Sequence, residues 1–136
     1  AVRTLLAEGI NVNVTLLFSV QAHRRVIEAY LDALEQRVAA GQPVNHVASC
    51  ASFFVSRVDN EVDKRLDVIL AQLPEDRQAY VAALKGKAAI ANAKMAYRLF
   101  RELFAGPRWE ALAARGAMVQ RPLWASTSTK NPAYRD

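Results

Sequence analysis

With 136 residues, 52% of them hydrophobic, the chain is long enough for one domain with a sizeable core. No apolar run approaches the roughly 20 residues of a membrane-spanning helix. The single cysteine, Cys50, excludes an intrachain disulfide and makes the cytosol the expected compartment. The net charge of +5 is diluted by interspersed acidic residues, as in Glu61, Asp63, Lys64 and Arg65, which is the pattern of a solvated helix surface. A nucleic-acid partner would require a basic stripe with aromatics, and the sequence holds none, whereas a basic balance suits small phosphorylated substrates.

Taken in chain order, Val2, Leu5 and Leu6 ahead of Gly9 read as the last turn of a helix already under way, so the chain reads as a piece of a longer protein. From Asn11 the pattern has period two. Val12, Val14, Leu16 and Phe18 fall on one face, for packing against helices, and Asn11, Asn13, Thr15 and Leu17 on the other. Amides and hydroxyls in a strand interior cost roughly 1–3 kcal/mol each when unpaired, so this second face needs hydrogen-bond partners, such as a ligand at the centre of a barrel.

Ser19 is placed to cap a helix with a stripe of Ile27, Tyr30, Leu31, Leu34 and Val38, stopped by Gly41-Gln42-Pro43. A second strand follows, from about Val47 to Val55. The next helix, after Arg57, is read as burying Val62, Leu66, Ile69, Leu70 and Leu73. Pro74 ends it and opens a short successor through Tyr80, Val81 and Leu84. Beyond Gly86 an Ala-rich helix carries Ile90, Ala93, Tyr97, Phe100 and Phe104, and Gly106-Pro107 breaks it. Trp109 to Arg115 forms one more short helix, and a third strand runs from about Arg121 to Thr127.

Strands alternating with helices are the grammar of parallel βαβ units, so the class is α/β. The strands also end alike. The first finishes in Thr15 and Ser19, the second in Ser52, Phe54, Ser56 and Arg57, the third in Ser126 to Asn131 with Lys130 among them. Polar and basic groups at the carboxyl ends of parallel strands mark the active-site face of a (β/α)8 TIM barrel. A full barrel needs eight strands and about 250 residues, so this is a partial one of about three strands.

Three blocks resemble the transaldolase family, in order and across most of the chain. They are Gly9-Ile10-Asn11-Val12-Asn13-Val14-Thr15-Leu16-Leu17-Phe18-Ser19, Ala51-Ser52-Phe53-Phe54-Val55-Ser56-Arg57-Val58-Asp59, and Trp124-Ala125-Ser126-Thr127-Ser128-Thr129-Lys130-Asn131-Pro132. They look like the fifth, sixth and seventh strands of that barrel, in a bacterial branch that includes actinobacterial enzymes and is in some bacteria fused to phosphoglucose isomerase. The resemblance implies one barrel domain truncated at both ends across residues 1–136.

It also implies transfer of a dihydroxyacetone unit between sugar phosphates in the pentose phosphate pathway, through a Schiff base and without cofactor or metal. Asn13 matches the asparagine that hydrogen-bonds the bound three-carbon unit, and Thr15 the threonine that positions a catalytic water. Ser52 matches a serine touching the same unit, Phe54 a pocket wall, and Arg57 the phosphate-binding arginine. Ser126 and Lys130 fall at further phosphate contacts, Lys130 only approximately because the local loop differs in length. The family's Schiff-base lysine and its acid/base carboxylates lie on earlier strands, ahead of Ala1. The implied partners are sugar phosphates, with homo-oligomerisation or self-association through uncovered apolar faces.

Other readings stay open at this stage. Asn13 and Thr15 could be a polar layer tying strands together, Ser52 and Phe54 packing residues, and Arg57 a surface partner of Asp59 or Glu61. His23 and His46 lack ligand-spaced partners, and Trp109, Trp124, Tyr97 and Phe100 read as core. For the whole, the rivals are a sister sugar-phosphate aldolase on the same barrel, an open-sheeted binding module like a flavodoxin, and a catalytically inert structural fragment.

Overall fold

The computed structural model describes residues 1–128 and Tyr134. Its order is α1 (Val2–Ala7), β1 (Val12–Leu17), α2 (Val20–Ala39), β2 (Ser49–Phe54), α3 (Ser56–Leu70), α4 (Glu75–Ala82), α5 (Ala88–Leu103), α6 (Pro107–Ala113) and β3 (Arg121–Ala125). The strands form one parallel sheet in the order β1-β2-β3. Three parallel strands alternating with helices make an arc of a (β/α)8 barrel, as the sequence leads one to expect. Among the described residues no helix is long and apolar enough to cross a membrane.

The expected signals start and stop these elements. Ser19 caps α2, its side chain accepting from Ala22 N at 3.1 Å. Pro107 occupies the first turn of α6, where its missing N–H is no loss. Between α1 and β1 the chain turns at Gly9, with φ +87°. A β-carbon there would meet Arg37 Nη1 at 2.9 Å, and that guanidinium is what closes the turn. Arg37 is 6% exposed, and donates to the carbonyls of Ala7 and Pro43, both at 2.9 Å. Its buried charge is thereby spent on the carbonyl that ends α1 and on one in the loop after α2.

Two apolar clusters hold the helices to the convex side of the sheet. The larger joins Leu6, Ile27, Tyr30, Leu34, Val47 and Leu112. The smaller, directly beneath the strands, joins Leu17, Ala51, Phe53 and Ala96. Inside the larger, the Tyr30 hydroxyl reaches the carbonyls of Val47 (3.1 Å) and Met118 (2.7 Å), and burial pushes its pKa up to about 12. A polar chain also crosses the amino end of the sheet, from Gln120 Nε2 to Ser49 Oγ (2.9 Å) and on to the Val12 carbonyl (2.7 Å).

Three details of the sequence reading are corrected. β1 is not a simple alternation. Val14 pairs with Ala51 and Leu17 with Phe53, so Thr15 and Leu16 together stand opposite Ser52. This β-bulge puts Leu16 at φ +61° and flips the remainder of the strand. Leu17, not Leu16, joins Val12 and Val14 in packing on the helices, while Leu16 is 55% and Phe18 40% exposed. On α3 the buried residue is Asp63, and Ile69 is exposed. On α5 it is Ala89, Ala96 and Leu99 that are buried, whereas Ile90 and Tyr97 are exposed. Ile90, Tyr97 and the exposed Trp124 instead border an open apolar cleft of about 530 Å³ between α5 and β3.

His23 is fully buried against the edge of Phe53, at 5.7 Å between ring centroids, and neither ring nitrogen has a hydrogen-bond partner among the described residues. Burial lowers its pKa from the ordinary value because the charged ring would be stranded. Between that lowered value and the unfolded value near 6.5, the unfolded chain binds more protons, so stability falls as pH drops through this window. Replacing His23 with Leu is expected to remove this part of the acid sensitivity and to leave stability at pH 7.5 equal or higher, read as the urea midpoint against pH.

Candidate functional site

The concave face of the sheet carries the polar groups. Because paired residues of a parallel sheet share a face, the register sets Asn13 beside Cys50, and Ser52 beside Leu123. Ser52 Oγ, 3% exposed, donates to Asn13 Oδ1 at 2.9 Å. That bond satisfies the buried hydroxyl, fixes the rotamer of the exposed Asn13 carboxamide and aims its Nδ2 donors elsewhere. Thr15 is two residues further along β1, exposed and within the bulge. Bulges re-aim side chains, and this one separates Thr15 from the flat alternation of the strand.

At the carboxyl ends of the strands a second group assembles. Phe54, the last residue of β2, packs against Phe18 at 5.3 Å between ring centroids. The Arg57 guanidinium lies 5.1 Å from the centroid of Phe54, within cation–π range. The two acidic neighbours that could have drawn Arg57 away are engaged elsewhere. Asp59 accepts from Ala89 N at 2.8 Å, and Glu61 forms an ion pair with Arg65 at 3.0 Å. Arg57 thus stands exposed in the first turn of α3, a helix of 15 residues. Here the helix amino terminus adds partial positive charge to the guanidinium.

β3 joins the rim through its last residue and the one after it. Val55 N donates to Ala125 O (2.9 Å), Ser56 N to Ser126 O (2.7 Å), and the hydroxyls of Ser56 and Ser126 share a hydrogen bond of 2.8 Å. Ser126 adopts φ +54°. With Leu16 it is one of two non-glycine residues at positive φ among the described residues, and both sit where a strand reaches the rim. Left-handed backbone at such residues costs of order 1–3 kcal/mol and clusters at functional sites.

The structure therefore brings together Asn13 with Ser52, and Phe54 with Arg57, and places Thr15 on the strand next to the first pair and Ser126 on the loop next to the second. Lys130 lies outside the described residues. Sequence reasoning passed over Phe18, assigned to the helix-facing side, and gave Ser56 no partner. Phe18 reaches the rim because the bulge reverses the face of everything after it, and two-residue periodicity alone carries no sign of that.

None of the other lysines lies on a strand, although Lys94 borders the cleft beside Trp124 and Thr127. Lys64 lies on α3 and Lys94 on α5, and Lys85 and Lys87 lie in the turn before α5. Lys85 binds Asp67 at 2.7 Å, and that hydrogen bond raises its pKa, the opposite of what an amine nucleophile needs.

Against known proteins, the family described as Transaldolase/Fructose-6-phosphate aldolase matches residues 1–136. The chain is 54% identical over 136 residues to a protein named Transaldolase from Acidothermus cellulolyticus, covering all of this chain and 34% of that protein. It is 52% identical over 138 residues to Transaldolase 2 of a Nostoc species, covering all of this chain and 36% of the relative. With a Transaldolase of Mycobacterium leprae it shares 52% identity over 137 residues, 35% of that protein. The chain thus spans about a third of the length of the curated relatives it matches. By sequence over its whole length and by its arc of parallel strands, the chain belongs to the transaldolase/fructose-6-phosphate aldolase family.

Proposed function

We propose that the 136 residues are the fifth-to-seventh-strand part of a single transaldolase barrel domain. In the whole protein this part holds the substrate while a lysine elsewhere forms the Schiff base. The observation that carries the reading is that the Asn13–Ser52 pair on the sheet and the Phe54–Arg57 pair at its carboxyl end are presented by alternate residues of β2 on one face, in a chain 54% identical to a named transaldolase. In this reading Asn13 hydrogen-bonds hydroxyls of the three-carbon unit, which the fixed orientation of its carboxamide favours. Thr15 positions the water that relays protons, Ser52 holds Asn13 and touches the unit, and Phe54 walls the pocket. Arg57 takes the sugar phosphate, its planar fork suiting two phosphate oxygens, with Ser126 and Lys130 as further phosphate contacts.

The substrates are sugar phosphates, the donor a ketose phosphate and the acceptor an aldose phosphate, and the setting is cytosolic, in keeping with the lone Cys50. Both β1 and β3 carry a sheet edge unpaired among the described residues, and Trp124 and Leu123 are exposed, so the isolated chain is expected to self-associate. A sister aldolase on the same barrel differs in releasing dihydroxyacetone without an acceptor. That the relatives are named transaldolases favours transfer.

Two outcomes test the reading. The isolated chain, incubated with a ketose phosphate and borohydride, is expected to yield no reduced lysine adduct by mass spectrometry, and a stably modified lysine would overturn the assignment of the nucleophile to another part of the protein. In the full-length protein, Arg57→Lys replaces a two-pronged, charge-assisted contact worth about 1.5–3 kcal/mol by a point charge, so KM for the phosphorylated ketose should rise about 10- to 100-fold. Steady-state kinetics with and without an acceptor aldose phosphate measure this and separate transferase from aldolase.

A further inference from the structure

Beyond the rim, one group of side chains has no part in the roles above. The ring of Tyr134 lies against Gly86, in the turn before α5. Gly86 has φ +70°, and a β-carbon on it would come within 2.6 Å of Tyr134 Cε1 and 2.8 Å of Cζ. The aromatic ring therefore fills the space that a side chain at position 86 would need. The Tyr134 hydroxyl donates to Asp63 Oδ2, and Asp63 Oδ1 accepts from Gly86 N at 3.1 Å.

Asp63 is 6% exposed in the middle of α3, and a carboxylate so buried requires such donors. The hydrogen bond to Asp63 is the main reason that the Tyr134 phenol is pushed up to about 12, so it remains a donor throughout the neutral range. One turn to either side, Asp59 accepts from Ala89 N and Asp67 from Lys85 Nζ. Three carboxylates at four-residue spacing share a face of α3. The outer two bind the α4–α5 turn and the start of α5, and the central one also receives the chain from beyond β3.

The place of this contact gives it meaning. α3 opens with Ser56 and Arg57, and Ser56 shares its hydroxyl hydrogen bond with Ser126 at the end of β3. Asp63 is two helical turns further along, about 10 Å at 1.5 Å per residue. The polypeptide leaving β3 is thus fastened to the same rigid helix at Ser126 and again at Tyr134.

We propose that Tyr134 is a positioning residue which, seated on Gly86 and bonded to Asp63, fastens the chain after β3 to α3 and so holds Ser126 in register with Arg57 for a phosphate-bearing sugar. The proposal rests on the reading of this rim as the phosphate end of the substrate site. It is tested in the full-length enzyme with Tyr134→Phe, which keeps the ring and deletes the donor, and with Gly86→Ala, which displaces the ring and keeps the hydroxyl. Both should raise KM for the ketose phosphate about 3- to 10-fold and weaken competitive inhibition by inorganic phosphate in parallel, with kcat within about twofold, as for a charge-assisted hydrogen bond acting at second hand. A fall in kcat or in thermal stability with KM and phosphate inhibition unchanged overturns it, because a merely structural role predicts that pattern. Arg57→Lys is the reference: if it weakens phosphate inhibition and Tyr134→Phe does not, the positioning role alone fails. If neither variant alters phosphate inhibition, the phosphate reading of the rim falls, and the role of Tyr134 with it.

Discussion

The central strand, hydrogen-bonded along both edges, constrains everything else in this molecule. β2 pairs with β1 at Ser49, Cys50, Ala51 and Phe53 on one side and with β3 from Cys50 to Phe54 on the other, so neither of its faces can slip. One face sends Ala51 and Phe53 into the helix-covered core, both fully buried. The other presents Ser52 and Phe54 to the concave side, where Asn13 and Arg57 meet them. A shift of one residue would exchange the two sets and bury the hydroxyl where Phe53 now packs. The same ladder that stabilises the sheet therefore sets the geometry of the rim.

On that frame the rim is built with deliberate irregularity. The bulge at Thr15 and Leu16 and the left-handed Ser126 both break strand geometry within a residue or two of the polar cluster. Regular parallel strands would have ended with their side chains in a fixed alternation. The irregular ones turn Phe18 onto Phe54 and bring the Ser126 hydroxyl to Ser56. Local strain of this size persists only where neighbours over-determine it, and the backbone bonds from Val55 and Ser56 to Ala125 and Ser126 supply that constraint.

The helices do more than cover the sheet. α3 carries Arg57 in its first turn and three carboxylates along one face, so a single rigid element links the rim, the α4–α5 turn, the start of α5 and Tyr134. A buried Asp63 is an unusual choice for a helix core position. It is tolerable because a backbone amide and a phenol donate to it, and its burial makes those contacts specific. At the surface, Arg108 of α6 gathers Glu28, Asp32 and Glu35 of α2, gripping Glu35 with two nitrogens, a charge network that ties α6 to α2.

The order of elements, the α/β class, the cap at Ser19 and the breaks at Gly41-Gln42-Pro43, Pro74 and Gly106-Pro107 were all legible in the amino-acid sequence, because each depends on interactions within a few residues. The placement of Phe54, Arg57 and Ser126 at the carboxyl ends was legible too, since parallel strands all deliver those ends to one side. What periodicity could not supply was set by contacts far apart in the chain. The bulge that exposes Leu16 and buries Leu17 arises from pairing with β2, and the burial of Asp63 from donors more than twenty residues away. The exposure of Ile90, Tyr97 and Trp124 likewise depends on which elements lie opposite them. Local chemistry chose the elements and named the polar groups; which of those groups touch, and which apolar faces are covered, was decided only when distant segments packed, because pairing and burial energies belong to the assembled pair and to neither segment alone.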